Sequence, residues 1–147
     1  MKTLHFETVI DATPQKVWDT MLGKETYTKW VSASWPGSTY RGEWKQGAQI
    51  RFNGADSEGG TLGEVTELDP YAKVAVEHIA VLLEDGGEDR ESDMAKEWIG
   101  STETYTFTGD NGATRLAVDI TTAPEWAGMF EEGWPPALVA LKQLAEQ

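Results

Sequence analysis

The sequence predicts an α+β domain in which a curved antiparallel sheet of six to seven strands wraps around a long C-terminal helix. Two observations carry this. Between residues 40 and 121 the apolar residues recur with a period of two, in short runs separated by turn-forming residues. Residues 126–146 then carry the one long amphipathic helical pattern, and an antiparallel sheet with one apolar face needs such a cover. Consecutive strands joined by short turns argue for a meander rather than βαβ crossovers.

The elements follow in order. Leu4, Phe6, Thr8 and Ile10 alternate with His5, Glu7 and Val9, which predicts a strand with one buried face. Thr13-Pro14 reads as an N-cap with proline at the first helical position. Val17, Trp18, Met21 and Leu22 recur at helical spacing up to Gly23, and a second short helix over 24–31 carries Tyr27, Trp30 and Val31. Trp35-Pro36-Gly37-Ser38 is turn chemistry. Tyr40, Gly42 and Trp44 then alternate, as do Ala48, Ile50 and Phe52 after a Lys-Gln-Gly turn. Strands are expected over 61–68 and 73–83, the second placing Val74, Val76, His78 and Ala80 on one face. The acidic run 84–96 (EDGGEDRESDMAK) reads as a mobile, solvated loop. Strands over 97–108 and 113–121 meet at the hairpin signal Gly109-Asp110-Asn111-Gly112. In the last helix Phe130, Trp134, Leu138, Leu141 and Leu144 or Ala145 share a face, and Pro135-Pro136 predicts a kink or restart near Gly133–Trp134. The order is β-α-α-β6-α, one domain over 1–147.

Composition narrows the function classes. The chain has no cysteine, which excludes disulfides, a thiolate nucleophile and cysteine-based metal sites. Twelve basic against 25 acidic residues leave a net charge of −13, with no basic cluster, so nucleic acid and anionic membranes are poor partners. No apolar run has the length of a membrane span or signal segment, and a cytoplasmic protein, monomeric or weakly dimeric, is expected. Seven Trp, four Tyr and four Phe exceed the needs of a core this size and suit the wall of a binding cavity.

Further residues fall into a familiar order: Thr13-Pro14 with Val17-Trp18, Trp30, Gly42-x-Trp44, Gly47-x-x-Ile50, Gly63-x-Val65, Asp69-Pro70, Glu103-x-Tyr105-x-Phe107, Thr114-x-Leu116 and Gly133-Trp134-Pro135. In this order and spacing, over nearly the whole chain, they resemble the START-like (SRPBCC, helix-grip) superfamily. Within it, they resemble the branch related to the C-terminal domain of the activator of the heat-shock-protein-90 ATPase. The resemblance implies a deep cavity between sheet and helix for lipids, polyketides, hormones or other apolar ligands. It also spans carriers, cyclases and stress-related co-chaperones, so it fixes fold before function. The co-chaperone carries a further N-terminal domain, whereas this sequence opens at its first strand. A chaperone partner is therefore the lesser expectation.

Groups able to do chemistry are few. His78 is either a polar anchor or general base in the pocket or a core histidine satisfied by backbone. Glu103 alternates with Tyr105 and Phe107 and faces inward in a regular ladder, outward if a bulge reverses it. A His78–Glu103 pair in an apolar cavity would mark a functional site, and these two are the candidate catalytic residues. No metal-binding spacing, GxSxG elbow or phosphate loop occurs, and no cofactor is expected. The candidate ligand-binding set is Trp44, Val76, His78, Trp98, Glu103, Tyr105, Phe130, Trp134 and Leu138, with Tyr27, Trp30 and Trp35 near the opening. The expected function is binding of an apolar or aromatic small molecule. The alternatives are a cyclase- or hydratase-like enzyme using the His/Glu pair and a protein-interaction domain.

Overall fold

A computed structural model describes residues 1–147. Twelve elements follow one another: β1 (Lys2–Ile10), α1 (Pro14–Leu22), α2 (Lys24–Val31), β2 (Thr39–Arg41), β3 (Gln49–Asn53), β4 (Gly60–Asp69), β5 (Lys73–Leu82), β6 (Glu88–Asp89), α3 (Asp93–Trp98), β7 (Thr102–Asp110), β8 (Ala113–Thr122) and α4 (Pro124–Ala145). The strands form one antiparallel sheet in the order β1-β8-β7-β5-β4-β3-β2, with β6 paired to β5. This is the α+β helix-grip architecture the sequence predicts, with α4 and the two short helices on the inner face. No helix is long and apolar enough to cross a membrane.

Local signals account for most boundaries. Thr13 caps α1 by accepting from the Lys16 amide, with Pro14 opening the helix. Asn111 and Gly112 turn the β7–β8 hairpin between the paired residues Asp110 and Ala113. Leu4 and Ile10 bury one face of β1 while His5, Glu7 and Val9 stay exposed. Leu116, Val118 and Ile120 from β8 join them under Leu138 and Leu141 of α4.

Four expectations are corrected. The strand expected through Trp44 ends at Arg41, because Gly42 takes φ +130°, a conformation that breaks a β ladder. The segment 97–101 is not strand: Trp98 ends α3, a helix capped by Ser92, whose Oγ accepts from the Ala95 amide at 3.1 Å. The acidic run 84–96 therefore carries regular structure, a two-residue strand and a helix start, and Ala95 is fully buried. Finally, α4 continues unbroken across Pro135 and Pro136. Both prolines are exposed, and the carbonyls they leave without amide partners belong to Glu131 and Glu132 on the same wet face, where water can serve them.

One irregularity decides which side chains face the helix. In β4–β5, Leu62 pairs with Ala80 but Gly63 pairs with His78, so Ile79 is an extra residue in β5. The bulge sends Ala80 and Leu82 to the opposite face, where they cluster with Leu62 apart from the main core. Val74 and His78 keep the inner side, and Val81 rejoins it. The single face expected to hold Ala80 with His78 is thus split.

Candidate functional site

The space between the sheet and α4 is not filled. A cavity of about 290 Å³ opens between α2, the β3–β4 turn and the first half of α4. Tyr27 and Trp30 from α2 and Trp35 after it form one wall, Phe130 and Trp134 of α4 another, and Phe52, His78, Glu103 and Tyr105 the floor. Trp98 enters from α3 and stacks on Phe130 with ring centres 6.0 Å apart. Exposed Met129 and half-buried Trp35 stand at the open end.

Trp35 owes its place to a glycine. Its ring lies where a Cβ on Gly133 would stand, 2.4 Å from the nearest ring atom, so only glycine lets the indole rest on α4. Ser34 donates to the Gly133 carbonyl and ties the same loop down. From there Trp134 is the hub of the wall, with Trp30 at 5.8 Å, Trp35 at 6.0 Å and Tyr105 at 5.7 Å between ring centres. Such tilted and edge-on contacts suit the ring quadrupoles and make a stiff surface.

At the floor, His78 and Glu103 meet: Nε2 stands 2.7 Å from Oε2, with the histidine 3% and the glutamate 14% exposed. The ladder supplies the juxtaposition. Val76 pairs with Glu103, so His78 lies two residues along the same face of the neighbouring strand. Gly63, opposite His78, keeps that patch of floor low, since a Cβ there would stand 2.6 Å from Val76 Cγ1. The Tyr105 hydroxyl donates to Glu103 Oε1 at 3.4 Å. The His78 ring sits between Trp98 (4.7 Å) and Phe52 (6.0 Å), and its Nδ1 is sealed from solvent without a partner. Burial holds the Tyr27 and Tyr105 phenols above their ordinary range, and the Glu103 charge pushes the same way. Both hydroxyls therefore stay protonated as donors.

Of the residues singled out from sequence, His78, Trp98, Glu103, Tyr105, Phe130 and Trp134 line the cavity, as do Tyr27, Trp30 and Trp35. Three do not. Trp44 packs beside it against Tyr40 and Phe52, Val76 is buried under the floor, and Leu138 is a core residue one turn past Trp134. Phe52, Asn53, Thr61 and Met129 line it unannounced. Phe52 was legible as the inward residue after Ile50; Thr61 was not, because its face depends on the register of β4. No cluster of His, Asp and Glu has the geometry to hold a metal ion.

Residues 11–146 match the family model described as Activator of Hsp90 ATPase homolog 1-like protein. No curated protein matches the sequence. Among solved structures, the chain is similar to the Aha1 dimer from Colwellia psychrerythraea (TM-score 0.74, 19% identity, covering 99% of this chain and 97% of that one). It is also similar to protein MLL2253 from Mesorhizobium loti (TM-score 0.72, 20% identity, 97% and 96% covered). A third is DynU16, from the dynemicin biosynthetic locus (TM-score 0.66, 18% identity, 100% and 48% covered). At these identities the likeness is one of fold.

Proposed function

The chain belongs to the Activator of Hsp90 ATPase homolog 1-like family, and from that premise we propose that it binds a small aromatic molecule in the cavity without covalent chemistry. The observation that carries the reading is the cavity itself: about 290 Å³ of space walled largely by aromatic rings, with the His78–Glu103 pair on its floor. Ligand sites commonly run from about 300 to 1,000 Å³, so this one suits one or two fused rings better than an acyl chain. The biosynthetic-locus setting of DynU16 agrees with a small-molecule ligand. His78 serves here as the partner that holds Glu103, not as a base. Its Nε2 is engaged, and Nδ1 is closed off from anything that would give it a proton.

The test is a titration with a panel of one- and two-ring aromatics, followed by tryptophan fluorescence and thermal melting. A ligand seated against Trp30, Trp98 and Trp134 quenches their emission and raises Tm with concentration, by RT ln(1 + [L]/Kd). Filling the space with Thr61→Trp, or closing its mouth with Met129→Trp, abolishes both signals while the fold persists. Quenching that survives both substitutions, or no saturable binding across the panel, overturns the reading.

A further inference from the structure

We infer that the ligand is a small aromatic molecule carrying a protonated amine, held by Glu103 within the ring of tryptophans and tyrosines. This rests on the binding reading above and narrows it to a chemical class. The first ground is the charge inventory. No lysine or arginine lines the cavity, and Glu103 is its one carboxylate. A ligand bearing a carboxylate or phosphate would meet like charge in a low-dielectric space and find no cation to offset it.

The second ground is that His78 does not cancel this charge. An imidazolium donates from both ring nitrogens. Nε2 has Glu103 as acceptor, but Nδ1 is buried with no acceptor at all, so a proton there would be left unsatisfied. The hydrogen bonds therefore match the neutral tautomer with its hydrogen on Nε2. Two donors, His78 Nε2–H and the Tyr105 hydroxyl, are directed at the Glu103 carboxylate, and neither carries a charge that would neutralise it.

The third ground is the wall. The carboxylate lies between two groups of rings, Trp98 and Phe130 beyond His78 and Trp134 with Trp30 beyond Tyr105. Aromatic faces attract cations, most of all indole and where water is excluded. A carboxylate set among them favours an ammonium over an equally large neutral group. The net charge of −13 draws cations toward the protein from a distance.

The experiment compares three probes of one shape: 2-naphthylmethylamine, 2-naphthylmethanol and 2-naphthoate. Calorimetry or fluorescence on the wild type gives the amine an advantage of about 10- to 100-fold over the alcohol, the range of one charge-assisted hydrogen bond, and the carboxylate binds weakest. Glu103→Gln, checked for native circular dichroism, brings the amine-to-alcohol ratio to near one. An alcohol or carboxylate that binds as tightly as the amine overturns the inference and leaves the binding reading standing. A ratio unmoved by Glu103→Gln also overturns it. If none of the three binds, the binding reading falls and this inference with it.

Discussion

The two histidines of this molecule both contact carboxylates, at nearly the same distances, and sit in opposite environments. His5, on the outer face of β1, has Asp119 at 2.6 Å and Glu7 at 3.0 Å, with about half of its side chain in water. His78, on the inner face of β5, has Glu103 at 2.7 Å, and water scarcely reaches either group. The exposed cluster can be rehydrated if a partner is lost, and salt screens it. The buried pair has no such reserve, because either group left alone is a polar or charged group stranded in an aromatic enclosure. Hydrogen-bond length alone thus says little about what a pair is worth. Its surroundings decide that, and they make one pair surface chemistry and the other the polar centre of a cavity.

The largest effect expected from this contrast is the loss of the buried partner. His78→Ala leaves Glu103 without its main donor and opens space beside Trp98, costing about 3–5 kcal/mol in urea unfolding. His5→Ala leaves the unfolding midpoint close to wild type at neutral pH. Comparable losses for the two variants would break the comparison. Replacing both buried groups with leucine sharpens it: the double variant recovers most of the stability that either single replacement loses.

A smaller effect is expected at Gly63, which faces His78 across the strand pair. Alanine there brings its Cβ to 2.6 Å from Val76 Cγ1 and 3.1 Å from Phe52 Cε2, so the floor must shift to admit it. The cost is about 1–3 kcal/mol, the usual range for overpacking. Gly63→Ala unfolding at the wild-type midpoint would show that the floor has slack. His78 would then not be held by packing.

How much of this was legible in the sequence differs between the two pairs. The period-two alternation of β1 placed His5 outside without ambiguity, since Leu4 and Ile10 fix the inner face. The same rule placed His78 inward correctly but failed two residues later, because the bulge at Ile79 has no signature in the pattern and turns Ala80 to the other side. The sequence pattern places Trp98 in the cavity but on a strand, where the structure has the end of α3. The Ser92 cap and the helical spacing of Ala95 and Trp98 were present, but the acidic run around them reads as solvated chain. Whether that run moves is a separate matter from its local structure. Amides of 86–93 are expected to exchange fast and those of 73–81 slowly, and protection throughout 86–93 would mark it as a stable element. The cavity follows from shape, how far a curved sheet stands from a straight helix, and no run of residues encodes that directly.

The smallest effect belongs to His5 and is visible only in its pH dependence. Hydrogen bonds donated to Glu7, foremost, and to Asp119 raise the imidazole above its ordinary 6.5, while the contact with His5 lowers Glu7 below its ordinary 4.5. The signs follow by linkage. A raised histidine contributes stability that is fully present below its unfolded value and is lost as pH rises through its folded value. A lowered glutamate contributes stability present above its unfolded value and lost as pH falls through its folded value. The two overlap between about pH 4.5 and 6.5, so the pair is worth most in mildly acidic solution. The measurement is the difference in urea midpoint between wild type and His5→Gln across pH 4–9. It should be a plateau through pH 5–6 that declines above 6.5, and it should shrink in 0.5 M salt because these groups face solvent. A difference that is flat in pH would mean the imidazole contributes only its packing and its neutral hydrogen bond. A decline that resists salt would mean the outer pair is shielded from water much as the inner one is, and the contrast between the two histidines would fail.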